Sequence, residues 1–403
     1  MLRFEDALAR ILALVPAPGV EEVALEDADG RVLGRDLASP HDLPLFSYSS
    51  MDGYAVATRD LVGEPPYRLP VRGESRTGAV PGALEPGTTM RIFTGAMLPE
   101  GADGILMQER VVRDGETATL EATVKAGQHV RRRGEDLAKG AIALRAGTRL
   151  RPAHLSLAAS LDLATVPVTR RPVVAILATG DELRRPGTPA RAGTIPASNT
   201  VVLRTMARRA GAIAEAHPFV PDDRAATEAA FAAALAEADV VVTIGGVSVG
   251  DHDLVRPALE AVGVTLDFWR VALKPGKPLA VGRLARPGRN DAIVVGLPGN
   301  PSSAMVTFAL FGLPLLRALQ GDPRPFPPAR RARLTAPVAH EPGRLELARA
   351  RLDGDTVTTL HNQASGAVTT MAEADALVMV PLESAGLAAG DEVDVLPLAE
   401  LGF

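Results

Sequence analysis

The chain has 403 residues, which is enough for two to four domains, because a single hydrophobic core rarely grows beyond about 250–300 residues. Its 46% hydrophobic and 23% charged residues are typical of a globular protein, and its formal net charge of −5 gives no support for general nucleic-acid binding. The chain contains no cysteine, which excludes disulfides, thiolate metal sites and thiol nucleophiles.

The first part of the chain predicts a short helix followed by a β-rich segment. Residues 5–15 have helical periodicity that ends at Pro16, and the acids near the N-terminus do not fit a signal peptide. Short apolar runs broken by Gly and Pro from about 45 to 145 indicate β structure, and a second helix is predicted at 152–163. No apolar run is long enough for a membrane span, so we expect a cytoplasmic protein without membrane contact.

The middle of the chain predicts a parallel α/β sheet. Three continuous apolar runs, at 173–177, 240–244 and 293–297, are typical of strands buried on both faces. Helical patterns alternate with them, at 199–210, 223–238 and 254–262. In such a sheet, ligands bind at the carboxyl ends of the strands.

The last part of the chain predicts one long helix and a small barrel. The helix runs over 301–319, with Asn300 as its N-cap and Pro301 as its first residue. A proline-rich linker at 323–328 follows, and alternating residues over 329–403 indicate a small β-barrel.

Two glycine-containing turns follow the first two of these strands. They are Thr179–Glu182, with sequence TGDE, and Gly245–Asp253, with sequence GGVSVGDHD. Such turns let backbone N–H groups approach a phosphate, but they also occur as plain tight turns. Asp251 and Asp253 have two interpretations: they cap the following helix, or one of them holds Mg²⁺.

Two proline-containing turns carry candidate anion ligands. Lys274-Pro275-Gly276-Lys277-Pro278 places two cations on a rigid loop, which suits either oxyanion recognition or a solvated surface. Leu297-Pro298-Gly299-Asn300-Pro301-Ser302-Ser303 is consistent with either an anion site or a well-capped helix.

The β-rich segment contains three further motifs. Their local sequence alone indicates two turns and one charged, solvated surface. Asp52-Gly53 is a possible hairpin, Phe93-Thr94-Gly95-Ala96 a turn, and Arg131-Arg132-Arg133 a charged run. In a strand, Arg131 and Arg133 would point to one side and Arg132 to the other. The seven histidines show no metal-ligand spacing.

Taken together, these motifs resemble those of the MoeA family, also known as the gephyrin E-domain. S-x-MDGYA, TGA-x-x-PEGAD, VR-x-x-GED, TGDEL, GGVSVG-x-x-D, KPGKP and GLPGNP-x-SA all occur here, in that order. The resemblance implies a multidomain α/β plus β fold with four parts. They are a linker domain at 1–44 with 146–170, an elongated β insertion at 45–145, a MogA-like parallel α/β domain at 171–322 and a C-terminal β-barrel at 329–403.

The resemblance also implies an activity and partners. Family members insert molybdate into adenylylated molybdopterin with Mg²⁺, which releases AMP and forms molybdenum cofactor. They are homodimers whose active site lies between the α/β domain of one subunit and the β insertion of the other. A transient contact with a molybdopterin adenylyltransferase is expected. Binding to nucleic acid is not expected.

The site residues implied by the resemblance fall into three groups. The catalytic positions are Asp52, Thr94, Glu182, Asp222, Asp253 and Lys274, and Mg²⁺ would be held by Glu182, Asp222 and Asp253. The substrate-binding positions are Arg131, Gly245, Gly246, Ser248, Arg270, Lys277, Pro298, Asn300, Pro301, Ser302 and Ser365. Asp223 is an alternative to Asp222, and either Arg344 or Arg349 is an additional candidate for holding the substrate.

Two other functions are weighed against this one. The first is the adenylyltransferase reaction itself, against which the β insertion, the VR-x-x-GED segment and the C-terminal barrel argue. The second is a pterin-binding scaffold without turnover, which the retention of every charged motif position disfavours.

Overall fold

The computed structural model describes residues 1–246 and 254–403. The roles predicted for Ser248, Asp251 and Asp253 concern residues outside these ranges.

The chain begins with a helix that packs on a distant part of the sequence. Helix α1 spans Phe4–Ala13, close to the predicted 5–15, and its buried residues Phe4, Ala7 and Ile11 recur at helical spacing. The Phe4 ring meets Phe311 edge-on, with 5.5 Å between ring centroids. Helix α1 therefore belongs to the core of the α/β region. Two strands follow the helix, β1 (Val20–Ala24) and β2 (Leu37–Ala38).

Residues 45–145 form the predicted β-rich segment. Its strands are β3 (Tyr48–Ser49), β4 (Gly53–Val56), β5 (Tyr67–Ser75), β6 (Thr89–Ile92), β7 (Gly104–Met107), β8 (Val111–Asp114), β9 (Thr117–Leu120) and β10 (Val130–Arg131). Six of them form a sheet in the order β7-β4-β6-β5-β9-β8, and β3 pairs with β10. The sheet buries a small apolar core that includes Tyr54, Leu106 and Leu120.

The chain then returns to pair with its own beginning. Strand β11 (Ile142–Leu144) pairs with β2, and β12 (Thr165–Thr169) pairs antiparallel with β1. Helix α2 (Pro152–Ser160) lies between them and begins at Pro152, as predicted. The β insertion is thus tethered at both ends by this small linker unit.

The α/β region alternates as predicted. Its elements are β13 (Val173–Ala178), β14 (Leu183–Arg184), β15 (Ile195–Pro196), α3 (Ser198–Arg209), β16 (Ile213–Ala216), α4 (Arg224–Glu237), β17 (Val240–Ile244), α5 (Val255–Ala261), β18 (Thr265–Arg270), β19 (Leu273–Lys274), β20 (Pro278–Leu284) and β21 (Ala292–Leu297). The main sheet has the order β16-β13-β17-β21-β20-β18.

This sheet is not entirely parallel, contrary to the sequence prediction. Strands β16, β13, β17 and β21 are parallel, whereas β20 runs antiparallel to both of its neighbours. The reason is the short connection at 285–291, because a parallel crossover needs about a dozen residues or more.

The long helix at 301–319 is present but interrupted. It comprises α6 (Pro301–Thr307), a π-helical turn (Phe308–Gly312) and α7 (Leu313–Leu319). A Cβ on Gly312 would lie 2.2 Å from Cδ2 of Phe308, so the turn accommodates only glycine there. By length and composition this helix is apolar enough to cross a membrane, but 83% of its most apolar window is buried inside the protein.

The C-terminal region closes into the predicted barrel. Its elements are β22 (Arg330–Leu334), β23 (Val338–Ala339), β24 (Leu345–Asp353), β25 (Thr356–Thr359), α8 (Val368–Glu373), β26 (Ala376–Val380), β27 (Gly386–Leu387), β28 (Glu392–Pro397) and α9 (Leu398–Leu401). Strands β24-β25-β22-β28-β26 form a ring, because β26 also pairs with β24. Strand β19 of the α/β region pairs with β24, which joins the two domains.

Candidate active site

A cavity of about 140 Å³ lies at the carboxyl ends of β13 and β17. Its walls include Thr179 and Glu182 after β13, Gly245 after β17, the start of α3 and the Gly299–Pro301 turn. This is the place where the sequence predicted that ligands would bind, because parallel strands present their turns together at this edge.

Glycines at this edge allow the close approach of neighbouring chain segments. Gly245 and Gly246 have φ values of 84° and 62°, which side-chain-bearing residues rarely adopt. A Cβ on Gly246 would lie 2.5 Å from Cγ2 of Val255, and a Cβ on Gly180 would lie 2.2 Å from Oε2 of Glu182. The Glu182 carboxylate therefore folds back over the turn that precedes it.

Asp181 and Asp222 contact each other after β13 and β16, and neither lines the cavity itself. The Asp181 N–H lies 3.4 Å from Oδ2 of Asp222, and the Asp222 N–H lies 3.3 Å from Oδ1 of Asp181. Asp223 instead caps α4, since its Oδ1 accepts a 2.8 Å hydrogen bond from the Ala226 N–H. Because the Asp223 carboxylate caps the helix, Asp222 is the better candidate for the acid that is available to a ligand.

These acids have the chemistry that Mg²⁺ needs, although they do not form a complete site. Among residues 1–246 and 254–403, no three potential metal-binding side chains lie together. Mg²⁺ is usually held by one or two carboxylates and completes its shell with water and substrate phosphate oxygens. Exposed Glu182 and Asp222 fit that requirement.

The Gly299–Ser302 turn is joined to the barrel domain through Ser365. Nδ2 of Asn300 donates a 2.8 Å hydrogen bond to Oγ of Ser365, and the Ser302 N–H donates to the Ser365 carbonyl. Asn300 has the N-cap position expected, but its side chain bonds Ser365 and not the helix. The buried Ser302 hydroxyl donates to the Ala367 carbonyl, so that group is occupied.

Lys274 is held by a buried acid that the sequence analysis did not identify. Its Nζ lies 3.0 Å from Oε1 of Glu346, whose other oxygen is 2.8 Å from Nδ1 of His340. The Glu346 and His340 side chains are 6% and 1% exposed, whereas that of Lys274 is 44% exposed. The Lys274 ammonium group thus reaches solvent while the buried Glu346 carboxylate holds it in place. Arg270 and Lys277 on the same hairpin are exposed.

Glu346 was missed because its strand gives a misleading signal. Leu345 and Leu347 flank it, which predicts an exposed residue on the other face of β24. In the structure β24 is buried from Leu345 to Ala350, since the barrel covers one face and β19 covers its end.

The contacts of Arg349 are structural, and they do not suit a role in substrate binding. It is 2% exposed, and its guanidinium donates to the carbonyls of Asn362, Ala364 and Ala367. Burial lowers the pKa of Arg349. The residue therefore holds the loop that carries Ser365, whereas Arg344 is only half-buried.

Two predicted catalytic residues of the β insertion contact each other. Oδ1 of Asp52 accepts hydrogen bonds from the Thr94 N–H at 2.7 Å and from the Thr94 hydroxyl at 2.9 Å. The backbone bond, then the hydroxyl bond and then the nearby charge of Arg91 lower the pKa of Asp52 below its ordinary value. The Asp52 carboxylate is therefore anionic and fixed in orientation.

Two arginines of the run pair with acids, one in the insertion and one in the linker domain. Arg131 lies 2.9 Å from Glu135, and Arg133 lies 2.7 Å from Asp42. All three arginines of the run are exposed. Surface pairs of this kind hold a side chain weakly, so Arg131 is free to turn toward a ligand.

The two halves of the predicted site are not connected within one chain. Among the residues that the structure describes, no hydrogen bond or ion pair links 45–145 to 171–322. Asp52, Thr94 and Arg131 thus belong to the β insertion, whereas the strand-end cavity, Arg270, Lys274 and Lys277 belong to the α/β domain. None of these three cations lines the cavity itself.

Comparison with protein-family models assigns three consecutive regions of the chain. Residues 2–161 match "MoeA N-terminal region (domain I and II)", residues 175–318 match "Probable molybdopterin binding domain", and residues 331–398 match "MoeA C-terminal region (domain IV)".

Known relatives are similar over their full length. The molybdopterin molybdenumtransferase of Haemophilus influenzae is 36% identical, with 100% of both chains covered. Molybdopterin molybdenumtransferase 2 of Mycobacterium tuberculosis is 38% identical over 93% of this chain and 94% of its own. The crystal structure of the molybdopterin biosynthesis MoeA protein from Pyrococcus horikoshii superposes with a TM-score of 0.87 at 31% identity, covering 98% of this chain and 99% of that one.

Proposed function

Since the chain belongs to the MoeA family of molybdopterin molybdenumtransferases, and so is a transferase of molybdenum cofactor synthesis, we propose the following reaction for it. It takes adenylylated molybdopterin and molybdate, transfers molybdenum to the dithiolene sulfurs and releases AMP. The observation that carries the proposal is the strand-end cavity, which is lined by the Glu182 carboxylate and by the Gly245 and Gly299–Pro301 turns. The Lys274 hairpin belongs to the same domain.

The cationic side chains bind the anionic substrates in this proposal. Lys274, fixed by Glu346, together with Arg270 and Lys277, attracts molybdate and the phosphate groups. The backbone N–H groups of Gly246, Gly299 and Asn300 approach the substrate closely in this proposal, while the Gly245 N–H donates to the Leu297 carbonyl and holds the two turns together. Ser365 positions Asn300 at the wall of the cavity.

The carboxylates act at the phosphoanhydride. Glu182, Asp222 and Asp253, the last outside the described residues, would hold Mg²⁺, which supplies charge neutralisation on the phosphate oxygens. Asp222 and Glu182 orient the water that attacks phosphorus, so that the anhydride P–O bond breaks and AMP leaves. Asp52 and Thr94 close the site around molybdate, and Arg131 contacts the substrate from the same side.

We propose that the complete site forms between two subunits of a homodimer. This is supported by the absence of hydrogen bonds and ion pairs between 45–145 and 171–322 within the described chain. We also propose a cytoplasmic location and delivery of the adenylylated substrate by transient contact with a molybdopterin adenylyltransferase.

The reaction is tested by incubating the protein with adenylylated molybdopterin, molybdate and Mg²⁺ and measuring AMP. We expect AMP and active cofactor in equal amounts. A pterin-binding scaffold would bind the substrate without releasing AMP, and an adenylyltransferase would consume ATP and free molybdopterin instead. Either of those results contradicts the proposal.

A pair of neighbouring acids provides a sharper test. Asp222→Asn should lower the rate of AMP release by roughly 10²-fold, the usual contribution of a group that positions a proton or water. Asp223→Asn is the matched control, because asparagine caps a helix about as well as aspartate and should leave the rate unchanged. Equal rates for the two variants would remove Asp222 from the mechanism.

A further inference from the structure

A second cavity, of about 380 Å³, lies at the other end of helix α3. Ser198 and Asn199 at the start of α3 line the candidate active site, whereas Arg208 and Arg209 at its end line this second cavity. The two cavities are therefore separated by roughly 17 Å along the helix axis, at 1.5 Å per residue.

Six arginines line this cavity, which we call the arginine cavity: Arg31, Arg149, Arg171, Arg208, Arg209 and Arg317. They come from three parts of the fold. Two belong to the linker unit, three lie before β13 or at the end of α3, and Arg317 lies on α7 beside the C-terminal Gly402. The cavity thus lies where domains meet. Its positive charge contrasts with the negative net charge of the whole chain.

Several of these guanidinium groups are held in place by the protein backbone. Arg31, whose side chain is 8% exposed, donates to the Thr169 carbonyl at 2.8 Å. Arg149 donates to the Gly30 carbonyl and Arg317 to the Glu400 carbonyl, each also at 2.8 Å. The positive charges are therefore fixed around the cavity before any ligand arrives, which lowers the entropy cost of binding.

Acidic side chains balance only part of this charge. Glu21 pairs with Arg31, Asp322 with Arg149 and Glu215 with Arg208. Exposed Arg171 and Arg209 have no ion pair within the described ranges of the chain, and a single acid, Asp29, lines the cavity itself.

The remaining positive charges repel one another. Burial and then the positive charge of Arg149 lower the pKa of the Arg317 guanidinium. Like charges at this distance destabilise the folded chain, and an anion bound between them would relieve that repulsion.

We propose that the arginine cavity is a binding site for an oligophosphate, either inorganic or the phosphate tail of a nucleotide. Guanidinium groups match phosphate oxygens with paired hydrogen bonds, and a volume of this size suits a small multiply charged anion. None of the described lining residues is aromatic, so the cavity offers no surface for stacking a base. The ligand would connect the linker unit, the α/β domain and the C-terminus.

Isothermal titration calorimetry tests the proposal. Sodium tripolyphosphate is titrated into the full chain in buffer without Mg²⁺. We expect saturable binding with one site per chain, weakened at least tenfold in the Arg171→Gln, Arg209→Gln double variant. Neither arginine has an ion pair to lose within the described ranges, so the variant should fold. Arg204→Gln, which removes one positive charge from helix α3 outside the cavity, is the control and should bind within twofold of the unchanged protein.

Three further arms identify the site and the ligand. Binding should persist in Lys277→Gln, which alters the candidate active site; loss there, or no binding to the unchanged protein, overturns the proposal. A hexaglutamate peptide that binds while tripolyphosphate does not would also overturn it. If ATP loses as much affinity as tripolyphosphate in the double variant, the site takes nucleotide phosphate tails; if ATP is unaffected, it takes inorganic oligophosphate.

Discussion

At the scale of single residues, the contact between Asp52 and Thr94 shows how a short exposed motif acquires a defined charge. One oxygen of Asp52 accepts both the N–H and the hydroxyl of Thr94, although the residues are far apart in sequence. Hydrogen bonds to a carboxylate favour its ionised form, and the nearby Arg91 adds to this effect. The pair is therefore a preformed anionic contact point in the β insertion.

This contact predicts how Asp52 titrates. Because its pKa in the folded chain is lowered below the ordinary 3.8, the stabilisation by Thr94 is present above that value and is lost as pH falls through the lowered pKa. A carboxyl-carbon NMR titration of Asp52 should therefore have its midpoint below 3.8.

The matched variant is Thr94→Val, which removes the hydroxyl and keeps the N–H. We expect the Asp52 midpoint to rise part of the way toward its ordinary value, since only the second of the two hydrogen bonds is lost. An unchanged midpoint in this variant would mean that the hydroxyl does not act on the carboxylate.

At the scale of elements, strand β24 connects the barrel to the strand-end cavity. Arg349 on β24 holds the 360–367 loop through its carbonyls, and Ser365 on that loop contacts both Asn300 and Ser302. The position of the 298–302 turn therefore depends on an arginine in another domain.

We predict that Arg349→Met loosens this loop. Three carbonyls of the 360–367 loop would lose a charged donor, which should cost about 3 kcal/mol of local stability. Hydrogen exchange of the Ser302 amide, which donates to the Ser365 carbonyl, measures that loss, and we expect it to accelerate by roughly 10²-fold.

The same strand supplies the control for this prediction. Arg351→Met alters an exposed side chain whose nearest acid, Glu373, is 3.9 Å away, and it should change local stability by less than about 0.5 kcal/mol. Similar acceleration in both variants would show that β24 as a whole, and not the Arg349 contacts, holds the loop.

At the scale of the whole molecule, the separation of two residue groups predicts a shared site. Asp52→Asn and Lys274→Gln should each be inactive as homodimers. If each site takes Asp52 from one subunit and Lys274 from the other, a mixed dimer has one intact site and one with both substitutions.

Mixing the two inactive variants under conditions of subunit exchange should therefore restore AMP release. With equal amounts, about a quarter of all sites would be intact, since half of the dimers are mixed and each has one good site. A mixture that stays inactive after exchange is confirmed by mass spectrometry would place both residues of each site in one chain.

The sequence by itself determined much of this protein. Continuous apolar runs identified β13, β17 and β21, because strands buried on both faces leave that signal in the chain. Capping and breaking residues placed α3, α4 and the 301–319 helix to within a residue or two. The ordered motifs also indicated the family, which the full-length relatives confirm.

Only the tertiary structure decided the remaining features, since they depend on contacts between distant segments. The antiparallel direction of β20 follows from a short connection, and the burial of Glu346 follows from the barrel closing around β24. Local periodicity carries no information about either. The arginine cavity has the same origin: six arginines scattered from residue 31 to 317 form one positive site only when the linker unit and the α/β domain meet.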